Sequence, residues 1–440
     1  MNLPSREVVE KAASVLGLTL LAFLYGFAAH GFGWFPASHL EQAWRQASAV
    51  APSANPPNFV QPRVYERSGV QVADSTSMQP GYTLITTLWE DFDWGPGLKL
   101  IDSQGTVVHE WRVEPEDLFS VSQIRRGPIP LENREIQGTY LFENGNVLVN
   151  VEPVGTVRLD ACGRVLWSLP AGTHHSIARA DDGSFWIPGK SHEGAPETPD
   201  HPQGLPGLEH PVYQDQILRV SEDGEILRRI NVLDVLWAND LERHLLLANQ
   251  KGKADLTHLN DVEPLPDSIA GEYPLFEAGD LVVSLRNIHL LFVMDPETEQ
   301  VKWHAFGPFI MQHDPDWIGD GWIGVFDNNR DGTAGGTMLG GSRIVALQPH
   351  TDSTRRLFTS GGASSFYTEK MGKWQELPNG NLLLTEAWAG RIVEVDAAGN
   401  IVWEWVSEPY SDSSVPWVQQ GQRRELTRKQ IQSWSCSGSE

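Results

Sequence analysis

Cysteine and positive charge are scarce in this sequence, and several common catalytic motifs are missing from it. Only two cysteines, Cys162 and Cys436, occur in 440 residues, which excludes a cysteine-based zinc pattern or redox pair. The sequence contains no GxSxG nucleophile elbow and no GxxxxGKS/T phosphate loop. Lysine and arginine total 33 against 57 acidic residues, for a net charge of −24. Such an acidic surface repels nucleic acid, so we expect no nucleic-acid partner.

One long stretch without charge lies near the N-terminus. Residues Ala12 to Leu40 include no Asp, Glu, Lys or Arg, and about 20 apolar residues suffice to cross a bilayer as a helix. A cleaved signal peptide has a shorter apolar core of about 7–15 residues, so we favour an uncleaved anchor. Arg6 and Lys11 precede the stretch, which predicts a cytoplasmic N-terminus. The sequence therefore predicts a single-pass protein of the bacterial inner membrane with its main domain in the periplasm.

Composition divides the chain into four parts. Residues 1–40 form the predicted anchor or signal segment, and residues 41–80 form a linker that contains PSANPPNFVQP. Closely spaced prolines favour an extended chain in such a linker. Residues 81–406 form the main domain. Residues 407–440 form a C-terminal tail, in which we expect no strand and a short helix near Arg424.

Two turn-and-strand units recur along the main domain. The first joins an acidic turn with glycine to an apolar strand, as in IDSQGTVVHEW from Ile101 and VDAAGNIVWEW from Val395. The second is a strand after an Asn-Gly or Asp-Gly turn, as in ENGNVLVN, and such turns are typical of tight hairpins. Repeated meanders of roughly 40–60 residues indicate a propeller. Counting a faint copy at Leu347, we predict an all-β, six-bladed propeller of four-stranded antiparallel blades, with the first blade closing on the last.

Three histidines occupy comparable places in these repeats. His175, His258 and His313 each lie near the start of a probable innermost strand, and Gly372 has the same place in the last blade. Arg286 follows His258 on the next strand. Around a propeller axis these side chains would converge, and an arginine beside imidazoles suits an anion such as a sulfate or phosphate group. Neutral imidazole is also a competent nucleophile.

Metal binding is the alternative for the same side chains. Three neutral histidines suit zinc or copper, but the neighbouring arginine opposes a second cation. The segment from Asp327, DNNRDG, resembles a calcium loop but lacks the bidentate glutamate. We interpret it as a polar hairpin turn and expect no metal and no cofactor.

The motifs THLND, SLRN, QHD and GVFDN, in this order, resemble the bacterial arylsulfotransferase family, and the similarity runs from about Tyr82 to Trp405. The resemblance implies a periplasmic six-bladed propeller that moves a sulfuryl group from a phenolic sulfate ester to another phenol, without a nucleotide donor. In that family a histidine is transiently sulfated. By motif order the resemblance implies that His313 is this nucleophile and that His258 and Arg286 bind the sulfuryl oxygens. It implies His175, or its neighbour His174, as a further histidine of the site.

Other residues of these motifs are predicted to bind the substrate: Asn260, Asn287, Trp317 and Phe309, with Trp388 as a further aromatic candidate. The expected partners are a small aryl sulfate, a phenol and the inner membrane. One alternative function is a non-catalytic, membrane-anchored propeller that serves as a binding or assembly module, which the insertion after His258 leaves open. Another is a metal-dependent oxidoreductase or lactonase on the same fold.

Overall fold

The computed structural model describes residues 16–25, 59–119, 136–191, 212–247, 255–360 and 366–434. The chain divides into two units, Met1–Pro57 and Asn58–Glu440. In the first unit residues 16–25 form a helix, α1, with exposed apolar side chains. Among the described residues we find no helix with the length and apolar character needed to span a membrane. The rest of the predicted segment 1–40 lies outside the described residues, so the anchor and the periplasmic location stay predictions.

The described part of the second unit is built mainly of strands. In chain order these are β1 (Val60–Pro62), β2 (Gly69–Ala73), β3 (Tyr82–Trp89), β4 (Gly95–Ile101), β5 (Val107–Arg112), β6 (Ile136–Leu141), β7 (Val147–Val151), β8 (Gly155–Leu159), β9 (Val165–Leu169), β10 (Ala178–Arg179), β11 (Phe185–Ser191), β12 (Gln214–Val220), β13 (Ile226–Asn231), β14 (Leu259–Pro264), β15 (Leu281–Leu285), β16 (Leu290–Met294), β17 (Val301–Ala305), β18 (His313–Trp317), β19 (Ile323–Asp327), β20 (Arg343–Gln348), β21 (Ser353–Thr359), β22 (Trp374–Glu376), β23 (Leu382–Glu386), β24 (Arg391–Val395), β25 (Ile401–Val406), β26 (Ser414–Pro416) and β27 (Val418–Arg424). The helices are α2 (Pro115–Leu118), α3 (Val232–Ala238), α4 (Arg243–Leu247), α5 (Asp267–Ala270) and α6 (Arg428–Ser433), and 3₁₀ turns occur at Glu90–Phe92, Arg286–Ile288 and Ala387–Ala389.

Six antiparallel sheets form the blades of a propeller. Blades II to V each consist of four consecutive strands, β6–β9, β10–β13, β14–β17 and β18–β21. Blade I has the order β27-β3-β4-β5, and blade VI has the order β22-β23-β24-β25 with β2 added at its outer edge. The first strand of each blade is the innermost one. β14 contacts β10 and β18 of the two neighbouring blades, and β27 contacts β22 and β6 of its own two neighbours. The predicted architecture of six four-stranded blades is confirmed.

The acidic turns of the repeated unit connect the third and fourth strands of the blades. In blade I, Asp102 Oδ1 accepts the backbone N–H groups of Gln104 and Thr106, both at 2.9 Å. Gly105 has φ +86°, a conformation that glycine adopts without steric cost. Asp160 forms the same kind of turn in blade II. These local contacts explain why the sequence repeat is readable at all.

The core lies between facing blades. Every residue of β15 and β16 is buried, because each inner sheet packs against a neighbour on both faces. One apolar cluster joins Ile217 of blade III to Val283 and Phe292 of blade IV. The blades are thereby held in fixed orientation around the axis, and side chains at equivalent places on innermost strands are brought to the same depth.

The C-terminal segment closes the propeller, as expected for a first blade that lacks its own innermost strand. β27 pairs antiparallel with β3, with Val418 opposite Thr87 and Arg424 opposite Tyr82. The expectation that residues 407–440 contain no strand was wrong. The sequence of β27, VQQGQRR, is almost entirely polar, because an innermost strand faces the polar axis, so it shows no apolar alternation. The short helix expected near Arg424 is α6.

Part of the predicted linker is tied to blade VI. β2 pairs with β25 at the outer edge of the blade. Tyr65 Oη donates to Glu386 Oε2 at 2.8 Å, and Arg391, 1% exposed, contacts the same carboxylate at 3.2 Å. Arg391 also binds Glu404 at 2.7 Å. The linker residue Tyr65 therefore belongs to a buried network of charged side chains in blade VI.

A pair of glycine substitutions tests the packing of the closing strand. A Cβ added at Gly421 in β27 would lie 2.5 Å from Ile392 Cδ1 of blade VI. We expect Gly421→Ala to lower the free energy of unfolding by about 1–3 kcal/mol, because overpacking forces neighbours to shift. Gly271→Ala is the control, since its added Cβ meets nothing within 4 Å and its φ is −61°. Urea unfolding measures both, and equal midpoints for the two variants would contradict this packing.

Candidate active site

The three predicted histidines lie at the same end of the innermost strands. His313 begins β18, His258 directly precedes β14, and His175 lies shortly before β10. The rings of His175 and His258 are nearly perpendicular, at 84°, with centroids 5.0 Å apart. His175, Asn260 and His313 line one small cavity on the axis. The structure therefore brings all three histidines together, as their register in the repeats predicted.

β-bulges at the start of the inner strands shape this cavity. The register of β14 with β15 shifts between Leu259 and Asp261, so Asn260 has no partner opposite it. A similar shift in β18 follows His313. Neighbours on a regular strand point to opposite faces, whereas Asn260 and Asp261 line the same cavity. The bulges re-aim these side chains, which is a common use of bulges next to active sites.

His313 is held in one tautomer by Asn328. Its Nδ1 lies 2.7 Å from Asn328 Oδ1 and 3.0 Å from the carbonyl oxygen of Met311. The Asn328 Nδ2 donates to the carbonyls of Thr368 and Met371 at 3.0 and 2.6 Å, which fixes the orientation of the amide. Both atoms that face Nδ1 are acceptors, so Nδ1 carries the proton. The buried Nε2 has no hydrogen-bond partner and keeps its lone pair.

His258 has a carboxylate as its partner instead of an amide. Its Nδ1 forms a very short hydrogen bond with Asp255 Oδ2, and Lys190 Nζ lies 3.8 Å from the other oxygen of Asp255. The hydrogen bond to His258 and the neighbouring cations hold the pKa of Asp255 well below its usual range, although burial opposes them. Asp255 is therefore ionised, and His258 Nε2 is buried without a partner.

Arg286 lies beside His258 because backbone hydrogen bonds join the two loops that contain them. The backbone N–H groups of Arg286 and Asn287 donate to the carbonyls of His258 and Thr257, at 3.1 and 3.0 Å. Asn287 Oδ1 accepts from Nε and Nη2 of Arg286, both at 3.3 Å, and its Nδ2 donates to the carbonyl of Asp255 at 2.9 Å. Asn287 thus orients the guanidinium of Arg286. That these two residues bind the substrate stays a prediction.

Burial and Arg286 together keep the imidazoles neutral. Burial, and then the charge of Arg286, lowers the pKa of His258 to about 4 and the pKa of His313 well below its usual value. Burial also lowers the pKa of His175, to which the neighbouring histidines add. Burial lowers the pKa of Arg286 only to about 10, so the guanidinium stays charged at neutral pH. The site therefore presents neutral rings beside a permanent cation.

His175 is positioned by an extended set of polar contacts. Its backbone N–H donates to Gln137 Oε1 at 2.8 Å, and the fully buried Asn150 donates to its carbonyl at 3.0 Å. His175 Nδ1 lies 2.8 Å from Nδ1 of His174. The two histidines of THHS therefore act as a contacting pair, with His175 at the axial cavity.

An ion cluster lies directly below the histidines. Lys373 Nζ bonds Asp261 Oδ2 at 2.7 Å and also contacts Asp314, whose second oxygen accepts from the backbone of Trp374 at 2.7 Å. These groups come from the innermost strands of blades IV, V and VI, so the cluster joins three blades at the axis. Lys373 lines both the histidine cavity and a larger cavity that Asp314 also lines.

The structure does not bring Trp317 or Phe309 to the histidines. Trp317 is at the far end of β18, where its Nε1 donates to the carbonyl of Glu263 at 3.1 Å and its ring contacts Tyr273. Phe309, 3% exposed, belongs to the apolar core. Asn260 does lie in the cavity, with Nδ2 donating to the carbonyl of Gln312 at 2.8 Å and Oδ1 buried without a partner.

The segment that resembles a calcium loop has its carboxylates engaged by the protein. Asp327 pairs with Arg343 at 2.6 Å and accepts the backbone N–H of Ile310 at 2.7 Å. Asp331 accepts from the backbone of Met338 and Leu339 at 2.7 and 2.8 Å. Arg343 and these backbone N–H groups therefore hold the carboxylates of the segment in place, which is consistent with a polar turn.

Sequence reasoning missed Asp255, Asn328, Lys373 and the contact of His174. Asn328 lies inside the quoted motif GVFDN, and Asp255 lies three residues before His258. A search of the sequence near each motif for an Asp or Asn that could bind the histidine would have found both residues. Lys373 gave no such signal, because its partners come from other blades.

Substitution of Asn328 tests the tautomer of His313. We expect long-range ¹H–¹⁵N spectra of the wild-type protein to show a protonated Nδ1 and a bare Nε2 for His313. In Asn328→Ala the tautomer with its proton on Nε2 should become more populated than in the wild type, because only the carbonyl of Met311 remains as an acceptor for the Nδ1 proton. The variant should also lose about 1–3 kcal/mol of stability, since two buried carbonyls lose their donor. A wild-type ring with its proton on Nε2 would contradict the assignment.

Several solved structures show a weak similarity to this chain. A protein of unknown function from Bacteroides caccae has a TM-score of 0.47 at 14% identity, covering 74% of this chain and 94% of that chain. Virginiamycin B lyase from Staphylococcus aureus has a TM-score of 0.35 at 12% identity, covering 62% and 71%. TolB from Acinetobacter baumannii has a TM-score of 0.40 at 10% identity, covering 78% and 66%. At these values the likenesses carry no conclusion about function.

No curated protein matches the chain. The family described as arylsulfotransferase (ASST) matches residues 139–408, a range that includes all three histidines, Arg286 and Asn328. Because that match spans more than half of the chain, this protein belongs to the arylsulfotransferase family and is a sulfotransferase.

Proposed function

We propose that this protein moves a sulfuryl group from a phenolic sulfate ester to a phenolic acceptor through a sulfated His313, without a nucleotide donor. The observation that carries the proposal is the state of His313. Its ring is neutral, its Nδ1 proton is held by Asn328, and its buried Nε2 has a free lone pair beside Arg286. A neutral imidazole in this state is a nucleophile that needs no prior deprotonation.

The first half-reaction sulfates His313. The lone pair of Nε2 forms an N–S bond while the bond between sulfur and the donor's phenolic oxygen breaks. The leaving oxygen takes that electron pair and receives a proton from a neighbouring histidine. His313 keeps its Nδ1 proton, so the ring becomes cationic while the sulfuryl group keeps one negative charge. Asn328 Oδ1, 2.7 Å from Nδ1, stabilises the developing positive charge, since hydrogen bonds to charged groups are stronger.

Arg286 and His258 are proposed to stabilise the sulfuryl oxygens in the transition state. Sulfuryl transfer resembles phosphoryl transfer in its loose transition state, where positioning and electrostatics carry most of the rate. Arg286 supplies a permanent charge. His258 can donate from Nε2 only after it takes up a proton, because its Nδ1 proton is bound to Asp255. The anionic substrate and the ionised Asp255 both favour that uptake.

The second half-reaction returns the enzyme to its first state. The acceptor's phenolic oxygen attacks sulfur, the N–S bond breaks, and its electron pair returns to Nε2 of His313. The acceptor's proton goes to the histidine that gave one in the first half-reaction, because the two half-reactions are chemically the reverse of each other. The net reaction exchanges one phenol for another and leaves no charge on the protein.

The activity assay uses 4-nitrophenyl sulfate as the donor and phenol as the acceptor. We expect the full-length protein to release nitrophenol in a phenol-dependent manner. His313→Ala should reduce the rate by at least about 10³-fold, since the nucleophile is lost, and Arg286→Gln should reduce it by about 10²–10³-fold, since a charge-stabilising donor is lost. His304→Gln, an exposed position on β17, is the control and should keep full activity.

Two results would count against the proposal in different ways. Activity that survives in His313→Ala would overturn the assigned nucleophile. Nitrophenol release by the wild-type protein that does not depend on phenol, with no sulfated phenol formed, would overturn transfer to a phenolic acceptor.

A further inference from the structure

His174 is a buried histidine to which the proposed reaction assigns no role. The residue is 1% exposed, and its ring centroid lies 4.9 Å from that of His175. The two Nδ1 atoms are 2.8 Å apart, so one ring donates a proton to the other. The second nitrogen of His174, Nε2, is buried with no hydrogen-bond partner. A buried polar atom without a partner is rare and needs a specific explanation.

The surroundings of Nε2 decide which ring donates. Asp215 Oδ1 lies 3.9 Å from His174 Nε2. If His174 donated from Nδ1, its bare Nε2 would face this carboxylate, and two lone pairs would repel each other in a buried site. If His175 donates, His174 presents Nε2–H towards the carboxylate. While Asp215 is ionised, the second arrangement is favoured, and it leaves a bare Nε2 on His175, whose ring borders the axial cavity.

Asp215 has one oxygen engaged and one free. Oδ2 accepts from Thr257 Oγ1 at 2.5 Å and from the backbone N–H of Leu259 at 2.8 Å. Oδ1 is buried without a partner. Burial raises the pKa of Asp215 to about 6, so this carboxyl can gain and lose a proton near neutral pH. Asp215 Oδ1 faces His174 Nε2, and His174 Nδ1 contacts His175 Nδ1, so the three residues form a continuous series from Asp215 to His175.

We propose that Asp215, His174 and His175 form a proton relay that makes His175 the general acid and base of the sulfuryl transfer. This inference rests on the proposed function and names the neighbouring histidine that the mechanism requires. His175 touches the reacting group, whereas His174 and Asp215 act through it.

The relay has two states that differ by one proton. In the base state Asp215 is ionised, His174 carries its proton on Nε2, and His175 carries its proton on Nδ1. When an acceptor phenol gives its proton to Nε2 of His175, the Nδ1 proton passes to Nδ1 of His174, and the Nε2 proton of His174 passes to Asp215 Oδ1. In this acid state all three groups are neutral. The reverse shift delivers the Nε2 proton to a leaving phenolate.

The last transfer in the relay spans the gap of 3.9 Å between His174 and Asp215. That separation is about 1 Å beyond hydrogen-bond reach. For this proton transfer, His174 Nε2 and Asp215 Oδ1 must therefore approach each other by about 1 Å, or one water molecule must bridge them. His174 lies just before β10, the innermost strand of blade III, and Asp215 is the second residue of β12, the third strand of the same blade.

The charges around the relay favour storage of the proton on a carboxyl group. Burial and then Lys190 lower the pKa of His174, and burial and then His174 lower the pKa of His175. The other charged or titratable groups that face the relay are Asp255, Glu152, Arg286, His258 and His313. An imidazolium here would lie beside Lys190 and Arg286. A protonated Asp215 instead removes a buried negative charge and adds no cation.

The dyad of Asp255 and His258 is built differently. His258 is bonded directly to its carboxylate, and the pKa of Asp255 is lowered where that of Asp215 is raised. Asp255 therefore stays ionised and holds His258 for the sulfuryl oxygens. The opposite shifts of the two carboxyl pKa values separate a charge-binding role from a proton-storing role.

The test compares two donors in single-turnover reactions of the full-length protein without acceptor, so that only the first half-reaction is measured. 4-Nitrophenolate leaves without a proton, whereas the phenolate of phenyl sulfate has a conjugate acid with a pKa of about 10 and needs one. We expect His174→Gln and Asp215→Asn to slow release of phenol from phenyl sulfate by about 10²-fold. Release of nitrophenol from 4-nitrophenyl sulfate should change by less than roughly threefold.

Equal losses with the two donors would show that His174 and Asp215 only support the structure, and they would overturn the relay. Unchanged rates with both donors would overturn it as well. Asp215→Asn, which keeps the shape of the side chain, decides the question if His174→Gln does not fold. His304→Gln should change neither rate. If the wild-type protein shows no stoichiometric release of nitrophenol, the proposed function fails before the relay is tested.

Discussion

Neutral imidazoles buried beside a permanent cation are the condition on which this site depends. A buried ring that stays uncharged has one N–H and one lone pair, and its partners decide which nitrogen has which. Asn328 gives His313 a protonated Nδ1 and a bare Nε2. Asp255 does the same for His258, but with a negative charge that can offset a second proton. In the mechanism that we propose, the same chemical group thereby serves as the nucleophile in blade V and as a binding group in blade IV.

The propeller supplies what this arrangement needs. Its innermost strands start at the same depth on the axis. Histidines at equivalent places on these strands therefore lie close together, and no long loop is needed to bring them there. The bulge at the start of β14 turns the consecutive side chains of Asn260 and Asp261 into one cavity. Lys373 bridges Asp261 and Asp314 below the rings and joins three blades. The closing strand β27 completes the ring of blades, so the site is held by contacts from both ends of the second unit.

The fold and the central histidines could be predicted because their signals are local. A hairpin turn such as that of Asp102 is encoded within five residues, and a repeat makes equivalent positions visible. β27 gave no signal because a polar axial strand lacks apolar alternation. The aromatic candidate Trp317 lies four residues after His313 on β18, which at strand rise is about 13 Å along the axis. Proximity in sequence therefore did not mean proximity to the site, and the partners of Lys373 depend on tertiary structure alone.

The central claim is that Nε2 of His313 carries the sulfuryl group between donor and acceptor. Its most direct test is to incubate the protein with 4-nitrophenyl sulfate without acceptor, digest it under alkaline conditions and map the modified residue by mass spectrometry. The account predicts one sulfuryl group on the peptide that contains His313, and its loss when phenol is added before digestion. A sulfated His258 or His175, or an unmodified protein that still turns over, would contradict the account.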